Sequence, residues 1–204
     1  MEGPTDAGGG VRVKVPAGLY GMVDAGTGER AAGVVDRVRF LADLGVEAVQ
    51  LRAKAWESAA LQELAAACQP HAPLFIINDH VRIAAQLGAW VHLGQDDGPD
   101  PAIPFGRSTH TLEQAAHPGD AAYIGFGPVF PTDTKDTGYT ARGLEMLASA
   151  VRISPVPVIA IGGIRSENLN AVRATGVHGY AMVGGFWQHR DDPTVLAHLL
   201  GRSR

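Results

Sequence analysis

The chain has 204 residues, 46% hydrophobic and 19% charged, a balance that suits one globular domain with a sizeable core. Its 17 basic and 21 acidic residues give a net charge of −4 with no basic tract, which argues against nucleic acid or an anionic membrane surface as the main partner. A single cysteine, Cys68, excludes an intrachain disulfide, and no apolar run reaches the length of a membrane-spanning helix. Residues 1–15 are Gly-rich and open acidic, unlike a secretory signal, and predict a disordered or extended lead-in to one domain over 16–204. A cytoplasmic protein is the expectation.

The strands read as short continuous apolar runs, the pattern of a parallel sheet covered on both faces. The first spans 18–23 and closes at Asp24; a helix over 32–44 follows, stopped by Gly45. The second strand is 46–51, with a helix at 58–68 that takes in Cys68 as a small buried residue. The third is 74–77, then a short helix at 81–87; the fourth is 90–93. The fifth is placed near 103–106, followed by Arg107 and Ser108, and the next helix starts near Leu112 with Thr111 as N-cap. The sixth is 122–126, with a helix over 144–153; the seventh is 156–161, with Ser166 capping a helix to Thr175. The eighth is 178–183, and a last helix covers 194–200.

Eight strands alternating with helices in one domain most simply close as an α/β fold of the (β/α)8 barrel type. Only a Gly-, Asp- and Pro-rich segment, 96–104, joins strands four and five, so the barrel is expected to lack or shorten the helix there. An open doubly wound sheet is the alternative, but no G-x-G-x-x-G follows the first strand.

Barrel chemistry sits where strands finish, on the C-terminal face. The polar residues at those points are Gln50, Arg52 and Lys54, which alternate and so share a side if extended, then Asn78 and Asp79, then Gln95 and Asp97, then Ser108 and His110. After strand six come Thr132, Thr134 and Lys135, and after strands seven and eight the pairs Gly162-Gly163 and Gly184-Gly185. Any one group has an ordinary structural explanation: Asp79 as a helix cap, a charged pair as solvated polarity, Gly-Gly as a turn. Together on one rim they supply cations, hydroxyl and amide donors, and two carboxylates. Carboxylates among phosphate-binding cations suit Mg2+ bridging protein and phosphate oxygens. Glycine loops after strands seven and eight offer backbone N–H groups to a phosphate. Two anionic subsites follow: a metal-bound diphosphate near strands two to five and a monophosphate near strands six to eight. The other histidines, His92 among them, lack metal-ligand spacing and are assigned to surface or packing, as are Trp56 and Trp187.

Six stretches, VQLRAK (49–54), IINDHVRIA (76–84), VHLGQDD (91–97), GRSTHTLEQA (106–115), GPVFPTDTK (127–135) and IAIGGI (159–164), resemble the ordered motifs of the thiamine phosphate synthase family. The likeness runs over about residues 18–200. It implies a barrel that joins a pyrimidine-methyl diphosphate to a thiazole phosphate and releases diphosphate, with these small molecules as its partners; a homo-oligomer stays open. By position, the resemblance assigns Gln50, Arg52, Lys54, Asn78, Ser108 and Lys135 to the pyrimidine diphosphate, with Arg52, Lys54, Ser108 and Lys135 as the catalytic set. Asp79 and Asp97 are assigned to Mg2+, and Thr132, Thr134, Gly163, Val183 and Gly184 to the thiazole phosphate. The chain departs from the family in its short segment between Asp97 and Ser108 and in Gly184-Gly185, where Ser-Ala is common. Residues 136–143 and the GRS at 106–108 also resemble the TenI-like thiazole tautomerases, in which a His placed like His110 moves a proton. Retention of Asp79, Asp97, Thr134 and Lys135 favours the synthase. A barrel that binds a thiazole or thiamine phosphate without turnover is a third reading.

Overall fold

The computed structural model describes residues 15, 17–132 and 139–202. Eight parallel strands close into a barrel in sequence order: β1 (Gly18–Asp24), β2 (Ala48–Arg52), β3 (Phe75–Asn78), β4 (Trp90–Leu93), β5 (Phe105–Thr109), β6 (Tyr123–Phe126), β7 (Val158–Ile161) and β8 (Gly179–Met182), with β8 paired back onto β1. The helices are α1 (Ala31–Asp43), α2 (Ser58–Cys68), α3 (Val81–Leu87), α4 (Leu112–Ala116), α5 (Gly143–Ile153), α6 (Leu169–Ala174), α7 (Gly184–Trp187) and α8 (Pro193–Leu199). The closed barrel expected from the apolar runs is the one observed.

Strand periodicity divides the apolar side chains into two cores. Leu19, Val23, Val49, Leu51, Ile77, Val91, Leu93, Ile124 and Phe126 point outward and pack against the helices. Tyr20, Met22, Ala48, Ile76, Trp90, Tyr123, Ile159 and Ala181 point inward and fill the barrel. Val15, from the segment read as lead-in, is buried against this inner set, and His178 Nε2 meets its carbonyl at 2.8 Å. The remaining lead-in, 1–14, lies outside the described residues. Helix faces follow the same logic: α1 buries Val34, Val38 and Leu41, one face at i, i+4, i+7. No described helix is long and apolar enough to cross a membrane.

Four local expectations are corrected. β5 begins at Phe105, because Pro101 and Pro104 have no N–H to give the ladder, and it runs on to Thr109, so Ser108 lies within the strand. Ser166 does not cap α6. The helix starts three residues later, after Asn168, whose side chain accepts from Arg165 N at 2.8 Å and donates to Gly163 O at 3.0 Å, holding the intervening chain as a turn. Gly184-Gly185 is no open loop but the first half of the one-turn α7. The last helix begins at Pro193, its N-terminus capped by Asp192, which accepts from Thr194 N and Val195 N. Two other expectations hold: Thr111 caps α4 in a reciprocal capping box with Gln114, and no helix joins β4 to β5.

Candidate active site

A cavity of about 260 Å³ opens at the C-terminal mouth of the barrel. Gln50, Arg52, Asn78 and Ser108 line it on one side, and Thr132, Gly163, Val183 and Gly184 on the other. His110 lines it too. Of the expected set, Lys54, Asp79 and Asp97 stand outside this lining. Lys54 lies two residues past the end of β2, so alternation no longer aligns it with Gln50 and Arg52; it is exposed, and its Nζ pairs with Asp79 Oδ2 at 3.1 Å. Thr134 and Lys135 lie outside the described residues.

The floor of the cavity is polar in a way that the apolar-run reading passed over. Gln50, 2% exposed, donates from Nε2 to Tyr20 Oη at 3.1 Å. The Tyr20 and Tyr123 hydroxyls are 2.7 Å apart. His92 bridges Tyr123 Oη, 3.0 Å from Nδ1, and Ser108 Oγ, 2.9 Å from Nε2. His92 is therefore part of the site and not a packing or surface residue. Satisfying each buried proton in turn assigns a direction to the chain. Tyr20 accepts from Gln50, so its own proton goes to Tyr123; the Tyr123 proton goes to His92 Nδ1; and His92 Nε2–H is given to Ser108. Ser108 keeps its hydroxyl proton for a ligand. Burial pushes both phenols well above their ordinary pKa, so they serve as hydrogen-bond groups and not as bases. Gly106 is required by this arrangement: a Cβ there would sit 2.1 Å from Tyr123 Cζ.

Two further β1 residues, Met22 and Asp24, line the cavity, as do Arg165 and Gln188. Asp24 lies opposite Arg52 in the β1–β2 register and pairs with its Nη1 at 2.5 Å, aiming the guanidinium along the rim. The signal for Tyr20, Met22, Asp24 and His92 was strand parity, since each falls in the inward phase shared with Gln50. His110 Nδ1 donates to Gly127 O at 2.6 Å, and its ring stacks on Tyr139, centroids 4.3 Å apart.

The metal assignment is tested on the donor set. Asp79 and Asp97 follow neighbouring strands, β3 and β4, on the same rim. Asp79 holds φ 66°, the one positive φ among described non-glycine residues, with its N–H donated to His92 O at 2.9 Å. Asp97 Oδ2 accepts from Gly94 N at 2.5 Å. No group of three or more His, Cys, Asp or Glu able to hold a metal occurs among the described residues. Mg2+ needs none, because it commonly takes one or two carboxylates and completes its shell with water and substrate phosphate oxygens. The residues fit that ion.

Comparison with known proteins gives the family and the fold. The family model described as thiamine monophosphate synthase matches residues 19–186. The thiamine-phosphate synthase of Parasynechococcus marenigrum strain WH8102 is 40% identical over 182 residues, 82% of this chain and 52% of that one. That of Laribacter hongkongensis strain HLHK9 is 37% identical over 169 residues, 76% of this chain and 80% of that one. The chain thus spans about half the length of the first relative and about four-fifths of the second. Among solved structures, thiamine phosphate pyrophosphorylase from Pyrococcus furiosus superposes with a TM-score of 0.73 at 29% identity, covering 91% of this chain and 98% of that one. A 3-hexulose-6-phosphate synthase, 13% identical with a TM-score of 0.63, shares the fold alone. With a family match across nearly the whole barrel, the chain belongs to the thiamine monophosphate synthase family.

Proposed function

We propose that this protein is a thiamine-phosphate synthase, which joins an aminopyrimidine-methyl diphosphate to a thiazole phosphate, giving thiamine phosphate and diphosphate. The observation that carries the reading is the two-sided mouth: Gln50, Arg52, Asn78 and Ser108 stand opposite Thr132, Gly163, Val183 and Gly184 around one cavity. That is the arrangement needed to hold two phosphorylated substrates with their reacting ends together.

In the proposed reaction the C–O bond between the exocyclic methylene and the diphosphate breaks first, and both electrons leave with the diphosphate. The electron-rich aminopyrimidine stabilises the cation left behind, and the thiazole nitrogen closes the new C–N bond. No protein nucleophile is required. Arg52, aimed by Asp24, Lys54 and Lys135 offset the charge that develops on the leaving group, and the Ser108 hydroxyl is oriented to donate to it. The Gln50 amide, fixed by Tyr20, retains its carbonyl oxygen to accept from the pyrimidine amine. Asp79 and Asp97 would hold Mg2+, which when bound supplies a divalent counter-charge to the diphosphate oxygens. Tyr20, Met22 and Tyr123 close the floor beneath the cation and keep competing water out. The proposed site of action is the cytoplasm.

The reading is tested by substitution. Asp79→Ala and Lys135→Ala are each expected to lower kcat by about a hundredfold, the scale of one electrostatic contact to a transition state. Full activity of Asp79→Ala with EDTA present would remove the metal from the account. One observation favours a second activity at the same mouth. His110 lines it with Nδ1–H held by a carbonyl, the tautomer that leaves Nε2 as the basic nitrogen. Metal-independent isomerisation of a thiazole phosphate, lost in His110→Ala, would make the protein a tautomerase instead.

A further inference from the structure

Every strand-to-strand connection carries a helix except that between β4 and β5, where residues 94–104 cross without one. That segment bears Gln95 and Asp97, so something other than a helix has to fix it. Arg107, on the outward phase of β5 and only 8% exposed, occupies the position to do so. Its Nη1 donates to Gly94 O at 2.9 Å and its Nη2 to Asp100 Oδ1 at 2.7 Å. The guanidinium lies 5.3 Å over the Phe105 ring. The second oxygen of Asp100 accepts from Asp120 N at 2.8 Å, which ties the far end of the segment to the chain entering β6. Gln95 Nε2 donates to the Ser108 carbonyl.

Gly94 is the shared point. Arg107 holds its carbonyl, and its N–H is held by the Asp97 carboxylate. A Cβ at Gly94 would sit 2.9 Å from Asp97 Oδ2, and one at Gly119 would sit 2.5 Å from Asp100 Oδ2, so both glycines make room for the two carboxylates. A planar guanidinium reaches Gly94 and Asp100 at once, as the single ammonium of lysine does not.

We infer that Arg107 is a positioning residue for Mg2+–diphosphate: through Gly94 it sets where the Asp97 carboxylate stands, in place of the absent helix. This rests on the metal–diphosphate assignment within the proposed function. Arg107 touches no substrate; its effect passes through Asp97, and so it should act on the metal-bound diphosphate and spare the thiazole phosphate across the barrel.

The experiment titrates Mg2+ with inorganic diphosphate into the full-length protein by calorimetry and measures rates over the same Mg2+ range. The wild type, Arg107→Met, Arg107→Lys and Asp100→Ala are compared. Arg107→Met is expected to weaken Mg2+–diphosphate binding by about tenfold or more, the scale seen when the support of a metal ligand is removed. The Mg2+ needed for half-maximal rate should rise by the same factor, with the KM for thiazole phosphate within about twofold, inside the context-dependent spread of any single contact. Lys should restore part of the loss. If Arg107→Met fails to fold, Asp100→Ala, whose side chain is 33% exposed, carries the test in the same direction. Folded variants that bind Mg2+–diphosphate like the wild type overturn the inference. So does a KM for thiazole phosphate that rises in step with the Mg2+ requirement, the mark of a merely structural residue. A wild type that binds Mg2+–diphosphate in an Arg107-dependent way yet makes no product removes the synthase reading and leaves this one standing. A wild type that does not bind it removes both.

Discussion

Asp79 occupies a left-handed backbone conformation that glycine adopts freely and other residues adopt at a cost on the order of 1 kcal/mol or more. Its ion pair with the exposed Lys54 offsets little of that. Asp79→Gly is therefore expected to melt no lower than the wild type while losing about a hundredfold in kcat, the cost of one transition-state contact. A variant that is less stable and fully active would show that the aspartate is there for the fold. The opposite balance holds on the cavity floor. Tyr123→Phe deprives the buried Tyr20 proton of its acceptor and His92 Nδ1 of its donor, at a cost of about 1–3 kcal/mol. It also removes one of the hydrogen bonds that orient the His92 ring, so kcat should fall through Ser108; thermal denaturation and steady-state rates read the two effects separately. Polar residues at strand ends were legible in the sequence, because an apolar run that stops at Arg52 or Asn78 announces them. Tyr20, His92 and Tyr123 were not, because aromatic and imidazole side chains inside an apolar run read as core. Only their parity with Gln50 distinguishes an inward tyrosine from an outward one.

At the level of elements, strands declared themselves as apolar runs and most helices by their periodicity and stops. The errors fall at boundaries that a neighbouring residue's backbone chemistry or side-chain hydrogen bonds set. α6 starts late because Asn168 spans back to Gly163, and β5 starts late because Pro104, whose carbonyl accepts from Val91 N, has no N–H to donate to the ladder. The missing helix between β4 and β5 was legible from length alone; the Arg107–Asp100 pair that replaces it was not, since nothing local marks the outward-facing Arg107 as buried beneath the segment. α2 offers a test of packing. It buries Leu61, Leu64, Ala65 and Cys68, and burial pushes the Cys68 thiol up to about 12. In the unfolded chain that thiol ionises near its ordinary value of about 8.5. The folded state thus binds the proton more tightly, so the stability contributed is intact below about pH 8.5 and is lost as pH rises towards the folded value. Thiol reagents at pH 8 should react with Cys68 only on unfolding, and Cys68→Ala should show a shallower loss of melting temperature between pH 8.5 and about 9.5. Rapid labelling of the native protein would mean that α2 opens locally.

The whole molecule is a barrel whose ends are tied together. β8 pairs with β1, Trp187 Nε1 donates to Met22 O at 3.2 Å, and Arg202 donates to Leu44 O at 2.7 Å. Closure brings residues from all eight strands or the loops after them to one mouth, so that residues as far apart in sequence as Tyr20 and Gln188 line a single cavity. Regular alternation of strands and helices made the closed architecture legible, while the shape and lining of the cavity depended on register, which appears only once the strands are paired. The central claim concerns that mouth, and an endpoint assay reaches it most directly. Purified protein is incubated with aminopyrimidine-methyl diphosphate and thiazole phosphate, with Mg2+ or with EDTA, and thiamine phosphate is quantified. Product that forms with Mg2+ and is abolished by EDTA is the predicted result; folded protein that yields no thiamine phosphate under either condition would contradict it.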